Sequence, residues 1–230
     1  MPSPNHAAGQ RDAALACLQD LPVSLLFDAK MALGLPDTTL DPCVRLLAGH
    51  RILARAHTIG RIPKSPNAGQ EEIDPGLSFA IQEVIDACGP DSVLVIATQG
   101  IASHANWGGN MAVRASMVGA QGLVTDGAVR DLHEMEELGM NIFAQGTSPR
   151  AGQHRLATTL RNQPVMCAGV YIRPGDILVG DGDGVIVIDP AQAEQIAAKA
   201  HELLRIESDM QNYMRNGASL LQAVKKYRIR

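Results

Sequence analysis

The chain has 230 residues, 46% of them apolar and 19% charged, enough for a substantial core, and its longest apolar runs are far too short to span a bilayer. A net charge of −4 with only 3% aromatic residues provides neither a basic field for phosphates nor a set of stacking rings, which argues against nucleic acid as a partner. Cys17, Cys43, Cys88 and Cys167 stand far apart with no Cys-x-x-Cys pair, so reduced, mostly buried thiols in a cytoplasmic protein are expected.

Residues 1–10 are polar and read as a loose tail ahead of one domain over 11–230, since no linker-like composition divides the rest. Helices are expected over 11–19 and 22–33, the second opened by Pro22 and closed at Gly34-Leu35-Pro36. Residues 44–59 alternate loosely between apolar and basic side chains, as an open strand pair would. Residues 61–75, with Pro63, Pro66 and Pro75, read as an exposed loop that could serve as a lid or a partner contact.

An amphipathic helix is predicted over 77–88, with Leu77, Ala80, Ile81, Val84 and Ile85 on one stripe. Val93-Leu94-Val95-Ile96-Ala97 has the unbroken apolar character of a central strand covered on both faces. A helix over 108–120 and a strand over 122–125 complete a strand, helix, strand unit, and a further helix spans 128–138. Short strands near 141–144, 165–170, 177–179 and 185–188 precede a long helix over about 190–215 and a short helical tail. Asp181, Asp183 and Gly184 read as a tight turn with no chemical role. The class is α/β, layered, with β-rich parts.

Most of the chemical information lies in residues 106–131. Gly108 and Gly109 open a helix, where backbone N–H groups without a Cβ in the way can approach an anion. The strand that follows ends in Asp126-Gly127-Ala128-Val129-Arg130-Asp131, which puts a planar guanidinium beside a hard carboxylate: one suits a substrate carboxylate, the other a divalent cation. Spacing alone also allows a bland account, with Asp126 as an N-cap and Arg130 and Asp131 as charges favoured at a helix start. Trp107 is read equally as a core ring or as a wall of the site. His104 and His133 flank the motif as possible acid/base groups or ligands, although surface histidines are commoner.

The Trp-Gly-x-x-hydrophobic opening followed by Asp-Gly-x-x-Arg-Asp resembles the family of the 4-hydroxy-4-methyl-2-oxoglutarate/4-carboxy-4-hydroxy-2-oxoadipate aldolases and the regulator of ribonuclease activity A. Phe143-Ala144-Gln145-Gly146-Thr147-Ser148-Pro149, Pro174-Gly175-Asp176 and Gly180-Asp181-Gly182-Asp183-Gly184-Val185 extend the similarity over most of residues 20–225. The resemblance implies a swivelling β/β/α-type domain assembled as trimers or hexamers with sites between subunits.

It further implies a lyase dependent on Mg²⁺ or Mn²⁺ that breaks a C–C bond of a 4-hydroxy-2-oxo acid, or decarboxylates a β-keto acid such as oxaloacetate, through pyruvate enolate. Trp107, Gly108, Gly109, Asn110, Met111 and Arg130 would bind substrate. Asp131 would hold the metal, and Glu207 would reach a neighbouring subunit's site. No lysine lies in the motif for a Schiff base; Lys64, in the 61–75 segment, is the nearest. One difference stands out: in the aldolases an acidic residue is followed by twenty residues and then the Arg-Asp pair, and counting back 21 from Arg130 this chain has Gly109. That difference keeps open two alternatives, a protein-binding regulator without turnover and a lyase of the same fold with another substrate.

Overall fold

The computed structural model describes residues 12–65 and 67–228, and the tail read over residues 1–10 lies outside them. Asp12 caps a single turn, α1 (Ala13–Ala16), well short of the helix expected over 11–19. α2 (Val23–Ala32) begins after Pro22 and closes near Gly34, whose φ of +68° suits a residue without a Cβ. Then come β1 (Arg45–Ala48), β2 (Ile52–Pro63), α3 (Gln70–Ile73), α4 (Ala80–Asp86), β3 (Ser92–Ala97), β4 (Ala105–Trp107), α5 (Gly109–Met117), β5 (Gly122–Thr125), β6 (Ala128–Val129) and α6 (Leu132–Glu137). The chain continues through β7 (Asn141–Ala144), β8 (Gly146–Thr147), β9 (Leu156–Arg161), β10 (Val165–Cys167), β11 (Val170–Ile172), β12 (Ile177–Asp181), β13 (Gly184–Ile188), α7 (Ala193–Arg215) and α8 (Leu220–Tyr227).

Eight strands form one mixed sheet in the order β1-β7-β5-β3-β2-β12-β13, with β9 also paired to β2. Its middle, β2, β3, β5 and β7, is parallel, and β3 is buried along its whole length. That burial is why its sequence shows no alternation. Side chains on β3 nevertheless divide by parity. Leu94 and Ile96 join Leu123 and Ile142 against Ile81, Val84, Ala112 and Ala115 of α4 and α5. Val93 and Val95 join Val124 and Phe143 against Val165, Cys167, Val170 and Ile172 of the β10-β11 hairpin. A third cluster packs α2 and α7 on Ile177, Val179, Ile186 and Ile188. Each such buried aliphatic side chain contributes about 1.5–3 kcal/mol. The result is the α/β layering of the expected β/β/α type.

Several expectations need correction. The segments over 44–59 do not pair with each other: β1 takes the sheet edge beside β7, while β2 sits between β3 and β12. The loop expected over 61–75 is partly β2, which runs to Pro63, and partly α3. The helix expected over 128–138 starts only at Leu132, because Ala128 and Val129 pair with β4 and β8 in a separate three-stranded parallel sheet. The region near 165–170 is a hairpin, and β4, β8 and β9 had no sequence signal. All four cysteines are free, but only Cys167 is fully buried; partial burial raises the Cys88 thiol to about 11. Among the described residues no helix is long and apolar enough to cross a membrane.

Candidate functional site

The small β4-β6-β8 sheet assembles the site. Its parallel pairing sets Trp107 beside Val129, and the Arg130 amide donates to the Trp107 carbonyl at 3.0 Å, so that two motif halves more than twenty residues apart in sequence run side by side. Asp126 is not a helix cap. Its carboxylate accepts from the Thr98 amide (2.6 Å), the Thr98 hydroxyl (3.0 Å) and the Gly100 amide (3.1 Å), which ties the end of β5 to the loop after β3. At Gly127 a Cβ would lie 2.4 Å from Asn106 Nδ2 and 2.6 Å from Thr98 Oγ1, so no larger residue fits. The first half of the Asp-Gly-Ala-Val-Arg-Asp run is therefore structural, and it delivers the second half to a cleft.

Asp131 occupies the N-cap position of α6 with φ +60° and ψ +38°, a left-handed conformation in which aspartate is over-represented. From there Oδ2 accepts from the Gly109 amide at 3.1 Å and lies 3.4 Å from Arg130 Nε. A Cβ on Gly108 would come within 2.9 Å of that oxygen and 3.1 Å of Arg130 Nε, so Gly108 is the floor on which the pair rests. Arg130 and Asp131 keep 45% and 38% of their side chains exposed, as groups at the mouth of a cleft should.

The cleft measures about 520 Å³ and is lined by Trp107, Gly108, Gly109, Asn110, Met111, Arg130 and Asp131, together with Lys64 and Glu134. Every substrate-binding residue expected from the sequence is thus brought together. Glu207 is not; it lies on α7, half-buried and away from this lining. Neither histidine lines the cleft. The His133 side chain is 83% exposed beside Glu136 and Glu137, and His104 contacts Ser103. The Lys64 ammonium donates to the Ala68 carbonyl.

Sequence reasoning missed Glu134. An ideal Cβ built on Gly109 would fall 1.8 Å from Glu134 Oε2, so the carboxylate of Glu134 occupies the space that a side chain at position 109 would take. Its oxygens make no hydrogen bond or ion pair with any described residue. The signal was present, an acid three residues after Asp131 and hence one helical turn along, but only the packing of α6 on α5 shows where it points.

Two carboxylates, Asp131 and Glu134, therefore flank Gly109. Among the described residues no group of three or more His, Cys, Asp or Glu side chains is placed to hold a metal. Mg²⁺ commonly takes one or two carboxylates, keeping water or substrate oxygens elsewhere, and the donor set here is hard oxygen alone. The residues fit such an ion.

Arg61 was also missed, because it fell in the presumed loop. It is only 8% exposed, and among the described residues its side chain hydrogen-bonds the Leu156 carbonyl, 3.0 Å from Nη2. Burial pulls its pKa down to about 10, which still leaves it cationic at neutral pH. Five buried side-chain polar atoms among the described residues lack a hydrogen-bond partner, and four of them, Arg61 Nε, Ser78 Oγ, Asn106 Oδ1 and Trp107 Nε1, belong to residues lining this cleft. Each orphaned group costs about 1–3 kcal/mol, and such groups concentrate where a ligand is to be received.

A family model described as RraA-like, Aldolase/RraA, matches residues 25–187. The chain belongs to the RraA-like family. Within it, a protein of Halalkalibacterium halodurans named "Putative 4-hydroxy-4-methyl-2-oxoglutarate aldolase" is 36% identical over 129 residues, 56% of this chain and 61% of that one. A Paraburkholderia phytofirmans protein with the same name is 39% identical over 111 residues, 48% of this chain and 67% of its own. The matched stretch thus spans less than two thirds of the Halalkalibacterium protein. Among solved structures, Streptomyces coelicolor RraAS2, described as an unusual member of the RNase ES inhibitor RraA protein family, superposes with a TM-score of 0.76 at 25% identity over 88% of this chain and 97% of its own. An uncharacterized protein of Pseudomonas syringae pv. tomato gives the same TM-score at 24% identity, over 92% and 96%. That second likeness concerns the fold alone.

Proposed function

We propose that this RraA-like protein is a divalent-metal-dependent lyase that cleaves a C–C bond of a 4-hydroxy-2-oxo acid or a β-keto acid, releasing pyruvate. The observation that carries the reading is the cleft in which Arg130, Asp131 and Glu134 surround Gly108 and Gly109. Arg130 holds the substrate carboxylate with its forked donors. Asp131 and Glu134 would hold Mg²⁺ or Mn²⁺, which when bound supplies Lewis-acid withdrawal at the 2-oxo group.

In the retro-aldol direction the C3–C4 bond breaks, its electron pair moves into the 2-oxo group as pyruvate enolate, and the 4-hydroxyl loses its proton as the new carbonyl forms. Asp131 and Glu134 are the carboxylates lining the cleft that could accept that proton. Decarboxylation of oxaloacetate needs no such base: the C3–C4 bond breaks, the C4 carboxylate leaves as carbon dioxide, the bonding pair passes into the 2-oxo group, and the resulting pyruvate enolate takes a proton at C3. Among the described residues no histidine lines the cleft to take either role.

The test is pyruvate release from a panel of oxo-acids by the parent and by Arg130→Lys, with Mn²⁺ and with chelator. Parent turnover should vanish with chelator and return with Mn²⁺. Arg130→Lys should fold normally yet lose about 10- to 100-fold in kcat/KM, because an ammonium cannot form the two parallel bonds of a guanidinium. Chelator-resistant turnover, or an unimpaired lysine variant, sinks the reading. A parent that turns over none of the panel would favour a binding regulator, in keeping with the ribonuclease-inhibitor description carried by the Streptomyces relative.

The assembly we propose is a trimer or hexamer in which Glu207 of one subunit faces the cleft of the next. Its support is that Glu207 lies apart from its own chain's cleft, while α8 leaves Leu220 and Leu221 more than 60% exposed, apolar surface suited to a second copy.

A further inference from the structure

The buried guanidinium of Arg61 has no role in the chemistry assigned to Arg130, Asp131 and Glu134, and packing alone does not account for it. β2 alternates inward and outward from Ile52 to His57, then four consecutive residues, Thr58 to Arg61, are buried. The break coincides with a slip in the β2-β9 ladder, where Gly60 pairs with Leu160 but Arg61 pairs with Thr158. The extra residue of that slip, Thr159, lies on β9, so β2 keeps its own alternation: Ile59 and Arg61 share a face, Ile59 belongs to the cluster with Ile81, Val84 and Ile85, and Arg61 lines the cleft beyond it.

The surroundings leave that charge without a counter-ion. Among the described residues no carboxylate pairs with Arg61; the Leu156 carbonyl satisfies Nη2, and Nε has no partner. Gly152 keeps the space beside it open, since a Cβ there would lie 3.3 Å from Nη1 and 2.4 Å from the Ala105 carbonyl. Burying a charge without a partner is strongly unfavourable, so a guanidinium held this way is poised for an anion that the protein itself does not supply. Trp107 Nε1 and Ser78 Oγ, also buried without partners, belong to residues lining the same cleft and add neutral hydrogen-bonding groups to its wall.

We propose that Arg61 forms a second anion subsite, which takes the carboxylate at the far end of a dicarboxylic oxo-acid whose 2-oxo end lies at Arg130. The two guanidiniums come from separate walls of one cleft, Arg61 from β2 in the large sheet and Arg130 from the small β4-β6-β8 sheet. A substrate with carboxylates at both ends would span them, and one with a neutral tail would leave the Arg61 charge desolvated and unpaired. Arg61 is in this sense a specificity determinant. The placement of the 2-oxo end rests on the function proposed above, whereas the subsite itself does not.

The experiment compares the binding of 2-oxoglutarate and 2-oxopentanoate by calorimetry at saturating Mn²⁺. The two have the same carbon chain and differ in the tail carboxylate. The parent should bind 2-oxoglutarate roughly 10- to 100-fold more tightly, the range expected for a charge-assisted pair. Arg61→Gln should bring the ratio to about one without weakening 2-oxopentanoate, while Arg130→Lys should weaken both acids alike. Arg61→Met, which fills similar volume without a polar head, serves if the glutamine variant does not fold. A parent that binds the two acids equally, or binds neither, overturns the subsite whatever the variants do, as does a folded Arg61 variant that keeps the preference. The two proposals separate cleanly: an Arg61-dependent preference without pyruvate release supports the subsite and removes the lyase, and pyruvate release with no such preference does the reverse.

Discussion

Glycine at position 109 acquires its meaning from Glu134. On sequence spacing it looks like the loss of an acid; in the folded chain the acid is supplied from the next helix, with Oε2 standing where a side chain on residue 109 would begin. Because the obstructing atom is the far end of a flexible side chain, the exchange should be reversible. Glu134→Gln and Asp131→Asn should each weaken Mn²⁺ binding, measured by electron paramagnetic resonance titration, by roughly 10-fold or more, since each keeps the shape and removes a charge that hard cations require. Gly109→Asp combined with Glu134→Ala should recover much of the affinity lost in Glu134→Ala alone. If the double variant binds no better than the single one, position 109 does not face the cation and the pairing of these two residues is wrong.

At the scale of elements, the site depends on a three-stranded sheet whose strands are two or three residues long. Strands this short hold little energy of their own, and their register is fixed instead by side chains on neighbouring segments, chiefly Asp126 on Thr98 and Gly100, and Asn106 Nδ2 on Thr125 Oγ1 at 2.8 Å. Gly127 is where these contacts meet. Gly127→Ala should therefore cost about 1–3 kcal/mol of stability, the usual penalty for overpacking, and should impair oxo-acid binding more than its distance from Arg130 suggests. Denaturant unfolding and calorimetry on the same sample measure both. A variant as stable as the parent would mean that this turn has room the structure does not show.

For the whole molecule, pH reports on the interior. His57 lies half-buried on β2, its Nε2 3.2 Å from Ser92 Oγ, and burial holds its pKa below the ordinary 6.5. The folded state then binds fewer protons than the unfolded chain just below that value. The associated stability is complete above about pH 6.5 and is lost as pH falls through the window beneath it. Thermal melts should show Tm dropping between pH 7 and pH 5, with a smaller drop in His57→Gln. Asp189, held below the ordinary carboxylate value by the Arg173 hydrogen bond, adds its own loss only nearer pH 4. Equal slopes for parent and variant would clear His57 of the effect. Light scattering on the same preparations should give three or six times the 24.4 kDa chain mass; a monomer would remove the proposed placement of Glu207.

What the sequence determined by itself is whatever depends on neighbours along the chain. The unbroken apolar run at 93–97 specifies a doubly covered strand, the stripe from Ala80 to Ile85 specifies a helix face, and Pro22 and Gly34 bracket α2, because periodicity and backbone preference are local properties. The Arg-Asp pair and its two glycines were legible because they form one contiguous motif. The tertiary structure decided the rest. β4, β6 and β8 are too short to leave a periodic signature and exist only because each supplies the other's hydrogen bonds. Asp126 looked like a helix cap until the loop after β3 arrived to claim its oxygens. Glu134 drew no functional reading and Arg61 was read as a loop residue, since what a side chain faces is set by how its element packs against others. Those are contacts between segments 25 to nearly 100 residues apart, here α6 on α5 and β9 on β2, and no local pattern encodes them.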